Sequence, residues 1–186
     1  MAASLDEALL AIAAGARALG LVSAIKFDLA LCDLGLPDGS GVEVIAALRE
    51  GGLDLPISID TRKAAVAEAA FAAGATILND VTALQFDPDM AAVAARRQAP
   101  VILMHSVATP VTMQDDPQYD DVLLDVYDAL ASRLAEAEAA GIPRDLLAID
   151  PGIGFGKTLA HNLTLLARLS LFHNLGVPVL LGYIDA

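Results

Sequence analysis

LPISIDTRKAAVAEAAFAAGATILND, Leu55 to Asp80, holds one complete copy of the unit on which this chain is built. Pro56-Ile-Ser-Ile-Asp60 is a short apolar run closed by an acid, which predicts a strand. Lys63 to Ala73 is rich in alanine and stops at Gly74, which predicts a helix and its C-terminal cap. Ala75-Thr-Ile-Leu-Asn79 is the next strand. A strand, a helix and a second continuously apolar strand imply a parallel pair with its crossover helix lying on the sheet.

The unit recurs in both directions. Toward the C-terminus follow a helix over Pro88 to Gln98, a strand over Pro100 to Met104, a long helix over Asp120 to Ala140 stopped by Gly141, a strand over Leu146 to Asp150, a mostly helical stretch over His161 to Leu175, and a last strand over Val177 to Leu181. Toward the N-terminus, Phe27 to Asp33 predicts a strand, Leu34 to Gly41 a turn and Val42 to Glu50 a helix. Ser4 with Glu7 three residues on resembles a capping box, so a first helix is expected to Leu19, ended by Gly20, with no strand before Phe27. The expected architecture is therefore α/β: parallel βα repeats in a single domain, a partial TIM-type (βα) barrel of about six strands. A closed barrel of this kind needs eight, so the sheet is expected to be open or incomplete.

Composition narrows the partners. A formal net charge of −13 repels phosphate backbones, which argues against nucleic acid. With 56% hydrophobic but only 4% aromatic residues, the core must be filled by Ala, Leu, Val and Ile. The single Cys, Cys32, allows no intrachain disulfide and fits a reducing cytoplasm. Asp6 and Glu7 stand where a secretory signal carries bases, and no uncharged apolar run reaches the ~18 residues of a membrane span. A cytoplasmic protein with no membrane partner is expected. Three scattered His and one Cys offer no metal spacing.

The polar residues fall at informative places. Asp60, Asn79, Met104-His105 and Asp150 each close a predicted strand, the edge at which parallel α/β folds bind ligands. Burying a carboxylate costs several kcal/mol unless it is paired, so a strand gains nothing by ending in one. Taken singly, each residue reads equally well as a turn or cap residue. Taken as a set, they read as a hydrogen-bonding site. In Asp150-Pro-Gly-Ile-Gly-Phe-Gly-Lys157, three glycines permit a tight turn and close backbone approach to a ligand. The segment ends like a phosphate-binding P-loop, but Pro151 stands where that motif needs its first Gly, so the nucleotide reading fails.

Pro56 to Lys63, Ala73 to Val81, Val101 to His105, Thr112-Met113-Gln114 and Asp150 to Lys157 together resemble the successive motifs of dihydropteroate synthase, in order and in spacing. The resemblance runs from about Leu55 to Gly182. That family is a (βα)₈ barrel that joins a dihydropterin pyrophosphate to p-aminobenzoate in folate synthesis. The resemblance implies that Asp60, Asn79 and Asp150 hydrogen-bond a pterin ring, with Met104, Phe155 and Gly182 beside it. The chemistry agrees, because a pterin edge offers adjacent donors and acceptors that carboxylates and an amide can match. Met104 and Phe155 can pack on a flat ring, though core packing explains Met104 equally well.

The departures imply impaired or absent turnover. The first-strand loop whose Asn helps hold a metal has no counterpart, nor does the Gly-Ser-Thr-Arg-Pro loop of the second strand. Where the family reads Ser-Arg-Lys, Gly182 is followed by Tyr183-Ile184-Asp185. Mg²⁺ is implied for an intact synthase, but with its loop missing no cofactor is expected here, and no catalytic residue is assigned.

Phe27 to Glu50 resembles something else, the third strand and following loop of a response-regulator receiver domain, in which Asp33 would be the phosphoacceptor. The acidic pair, Thr and Lys that such a switch needs are not found, so Asp33 is expected to be silent. Two resemblances meeting near Leu55 raise the alternative of an engineered chimeric scaffold with no ligand function. An unclosed apolar sheet also predicts association, and a homodimer is expected.

Overall fold

The computed structural model describes residues 8–12, 27–33, 41–106 and 118–182, with side chains described for 41–106 and 118–182. The expected turn over Leu34 to Gly41, the segment Thr112-Met113-Gln114 and the residues after Gly182 fall largely or wholly outside these ranges. The chain forms two compact units, Met1–Asn79 and Asp80–Ala186.

The first unit carries strands β1 (Ala8–Ile12), β2 (Phe27–Asp33), β3 (Ile57–Asp60) and β4 (Ile77–Asp80), with helices α1 (Gly41–Glu50) and α2 (Ala64–Ala73). Neighbouring strands pair in chain order and all are parallel. One expectation is corrected here. Ala8–Ile12 is a strand paired with β2, not the core of a helix from Ser4 to Leu19, and the strands therefore begin before Phe27. Ala-Leu-Leu-Ala-Ile is a short apolar run with no polar face, compatible with a buried strand as much as with a helix. The open edge of β2 decides it, since ladder hydrogen bonds outweigh the small helix preference of two alanines.

Ile57, Ser58 and Ile59 are buried in β3, and Val44, Ile45 and Leu48 of α1 are buried at helical spacing. In α2 the buried positions are Ala64, Ala67 and Ala70, small side chains that let a helix lie close to its neighbours. Arg49 fastens the last turn of α1 to the end of α2: Nε and Nη2 donate to the Gly74 carbonyl at 3.0 and 2.9 Å, and Nη1 donates to Leu55 at 2.8 Å.

The second unit holds α3 (Met90–Arg97), β5 (Val101–Met104), α4 (Val122–Ala139), β6 (Leu147–Asp150) and α5 (Leu159–Ala167), with 3₁₀-helical segments at Arg144–Leu146 and Leu169–Leu175. β5 and β6 are parallel, with Val101 beside Leu147 and Met104 beside Asp150. α4 starts at Asp121, whose side chain accepts from the Leu123 and Leu124 amides, and it buries Val126, Leu130, Leu134 and Ala137 in one stripe. α5 starts in a capping box formed by Thr158 and His161, which gives His161 a local role. The strand expected over Val177 to Leu181 shrinks to a single bridge, Val179 with Ile149. Pro178 explains this: it accepts from the Ile149 amide at 3.0 Å but has no N–H to extend the ladder.

The parallel βα repeats expected from the sequence are thus observed in both units. No helix among the described residues is long and apolar enough to cross a membrane.

Candidate functional site

In the first unit the register sets three polar residues in a row at the C-terminal strand ends. Asp33 pairs with Asp60, and Asp60 with Asn79. Asn79 Nδ2 donates to Asp60 Oδ2 at 3.0 Å, so two of the expected ligand residues are in direct contact. Asn79 Oδ1 is buried and has no hydrogen-bond partner among the described residues. A buried amide oxygen left unmatched costs roughly 1–3 kcal/mol.

In the second unit, β6 ends in Asp150, only 5% exposed. Its Oδ1 accepts from the Gly152 amide at 2.8 Å, and the Gly182 amide also donates to this carboxylate. Gly182 is therefore brought to Asp150. Burial raises the Asp150 carboxyl above its ordinary range, opposed by those amides and by the positive charge of Lys157. Met104, beside Asp150 in the register, is buried, and it lines a cavity of about 220 Å³ with His105, Ser106, Gln85 and Arg133. Phe155 is half-buried in the loop after β6, where its amide donates to the Gly152 carbonyl at 3.1 Å.

The sequence reading assigns no role to Asp80, Lys157 or Tyr119, and gives His105 only its place at the end of a strand; all four shape these strand ends. Asp80 is fully buried; its Oδ1 accepts from the Thr82 amide and hydroxyl at 2.8 and 2.7 Å, and its Oδ2 from the Leu84 amide at 3.1 Å. It holds a loop in which Ala83 and Leu84 adopt left-handed backbone angles. Lys157 is buried, 4% exposed, among the carbonyls of Gly152, Phe155 and His105 and the Nδ1 of His105. Burial lowers its ammonium to about 7, with Asp150 working against the fall. His105 is driven down to about 3 by burial first and by Lys157 second, so its ring is neutral. Tyr119 donates to the Gly156 carbonyl at 2.9 Å, and burial with the nearby Asp125 pushes its phenol up to about 12. A lysine after a glycine-rich run reads in sequence as solvated. Only the Asp-Pro-Gly ahead of it, which turns the chain back on the strand end, hinted otherwise.

Among the described residues no three His, Cys, Asp or Glu side chains gather as a metal ligand set.

Comparison with known proteins bears on residues 41–183, which match the model of the pterin binding enzyme family. A probable bifunctional folylpolyglutamate synthase/dihydropteroate synthase of Haloferax volcanii is 53% identical over 140 residues, 75% of this chain and 16% of that protein. The dihydropteroate synthase of Synechocystis is 42% identical over 141 residues, 76% of this chain and 48% of that protein. The chain thus spans at most about half the length of these curated relatives. Among solved structures, dihydropteroate synthase from Xanthomonas albilineans in complex with 7,8-dihydropteroate has a TM-score of 0.79 at 35% identity, over 96% of this chain and 72% of that one. The family match begins at Gly41, past most of the receiver-like segment.

Proposed function

The chain belongs to the pterin binding enzyme family, and from that premise we propose that it binds a dihydropterin and is impaired in turnover to dihydropteroate. The observation that carries this is the Asp60–Asn79 pair. Asn79 spends an amide N–H on Asp60 and keeps a buried Oδ1 that is unmatched among the described residues. A pterin edge supplies an N–H for that oxygen and further donors for a carboxylate. Taken by itself, the second unit offers the same kind of chemistry: Asp150, with Met104 beside it in the register and the Gly182 amide on its carboxylate, supplies acceptors and an apolar contact, and Phe155 supplies an aromatic face.

Impairment is argued from the sequence. The Ser-Arg-Lys motif and the Gly-Ser-Thr-Arg-Pro loop are replaced, and each lost preorganised charge stabiliser costs roughly 10²–10³ in rate. Titration with a dihydropterin during thermal unfolding tests both halves of the proposal. At 100 times Kd the ligand adds about 2.7 kcal/mol, which raises the midpoint by roughly 5–10 °C for a chain of this size. The same sample, supplied with the pyrophosphate ester and p-aminobenzoate, makes dihydropteroate at under a hundredth of an ordinary synthase rate. No thermal shift at saturation removes the binding proposal, and brisk turnover removes the impairment.

A two-fold homodimer in the cytoplasm is part of the same reading. Leu159, Leu163 and Leu166 of α5 are 75%, 57% and 42% exposed and recur at helical spacing, an apolar stripe suited to an identical copy. Light scattering decides this: a species of 19.2 kDa that does not change with concentration refutes the dimer.

A further inference from the structure

Lys157 is placed where a lysine is costly. It is 4% exposed, and removing an ammonium from water costs several kcal/mol unless donors and charge are matched. The matching is close to complete. Nζ lies 2.9 Å from the Gly152 carbonyl, 2.9 Å from the Phe155 carbonyl, 3.1 Å from His105 Nδ1 and 3.3 Å from the His105 carbonyl. An ammonium has three protons, and three acceptors stand at 3.1 Å or less with a fourth just beyond. Every one of these acceptors belongs to a strand end or to the loop after it. His105 follows β5, while Gly152 and Phe155 bracket the turn after β6. The turn is pressed onto β5 so closely that a Cβ on Gly152 would lie 2.1 Å from the His105 carbonyl oxygen.

We propose that Lys157 is a positioning residue, whose ammonium pins the Gly152–Phe155 turn to the end of β5, sets Asp150 and Phe155 for the ligand, and holds His105 with its proton on Nε2. The claim about Asp150 and Phe155 rests on the pterin-binding reading; the claim about His105 does not. The His105 state follows from donor chemistry. An ammonium has no lone pair, so a contact at 3.1 Å requires Nδ1 to accept, and a neutral imidazole that accepts at Nδ1 carries its hydrogen on Nε2. The titratable groups around Lys157 are His105 and Asp150. Beyond His105 lies the Tyr119 ring at 6.2 Å, and that ring meets His161 edge-on at 5.0 Å. A lysine that only filled space would leave the histidine tautomer undetermined, so the tautomer is the readout that separates the two roles.

The test is nitrogen-15 NMR of histidine-labelled protein at pH 6, below the value of about 7 to which burial brings Lys157. The whole chain is used, with and without Lys157→Met, alongside titration with a dihydropterin. In the unsubstituted protein, His105 is expected as one neutral form protonated at Nε2. An Nδ1-protonated ring or an imidazolium overturns the proposal without any variant, so the test stands even if Lys157→Met fails to fold. In the folded variant, a second His105 form protonated at Nδ1 is expected, and pterin affinity falls tenfold or more. An unchanged His105 signal, or affinity within twofold of the unsubstituted chain, overturns it. If the unsubstituted chain binds no pterin, the functional reading fails while the His105 signature still decides whether Lys157 is the pin.

Discussion

Gly152→Ala is expected to cost about 4 kcal/mol or more, the upper end of what one substitution does, read as a fall in the urea midpoint of the second unit. Two causes add. Gly152 has φ +68, a left-handed angle that costs an alanine roughly 1–2 kcal/mol. The new Cβ would also lie 2.1 Å from the His105 carbonyl oxygen, so a backbone atom rather than a flexible side-chain tip must move. That movement is not free, because the same carbonyl accepts from Lys157 and the Gly152 amide donates to Asp150 at 2.8 Å. Shifting the turn therefore disturbs a buried lysine and a buried carboxylate together, and unmatched buried charge is what makes large penalties. Gly52 supplies the internal control. Its φ is +85, but nothing lies within 4 Å of where its Cβ would be. Gly52→Ala carries the backbone cost alone, roughly 1–2 kcal/mol. Equal effects at the two glycines would show that the close approach of the turn to β5 is wrong.

The same contrast explains what could be read from sequence and what could not. Asp60, Asn79 and Asp150 were legible because a carboxylate or amide closing an apolar run is anomalous by itself, and parallel strands carry such residues to one kind of edge. The contact of Asn79 with Asp60 follows from register, once both strands are known to be parallel and adjacent. Lys157 was not legible, since its burial depends on carbonyls from two strand ends, one of them at His105, 52 residues away in the chain. No local pattern encodes that. Ala8–Ile12 failed for a different reason: five apolar residues carry no period, and a neighbouring strand edge, invisible in the local sequence, selects between helix and strand. The last strand was lost to one residue, Pro178, whose ring leaves no N–H to extend the ladder.

Asp150→Asn is expected to weaken pterin binding by about 10²-fold, roughly 2.7 kcal/mol, within the range of a hydrogen bond to a charged group, while leaving the fold largely intact. Asparagine keeps one oxygen to accept from Gly152, so the turn can stay in place. It loses the negative charge that a pterin donor edge would meet, and one of its two oxygen acceptors becomes a donor. A second consequence follows from the charge balance. Asp150 is the influence that raises the Lys157 ammonium against burial, so without it Lys157 must fall further below about 7. The direction of the resulting pH dependence is fixed. A base whose folded value lies below its ordinary one binds fewer protons folded than unfolded between the two values, so stability rises with pH through that window. In the unsubstituted chain, the Lys157 part of this rise begins at about pH 7. In Asp150→Asn it begins lower, and the variant gains more stability between pH 6 and pH 8 than its parent. Calorimetric titration and urea unfolding at those two pH values measure both effects. Binding that survives in Asp150→Asn removes this carboxylate from the ligand's partners. A pH response identical to the parent's shows that its charge is not what supports Lys157.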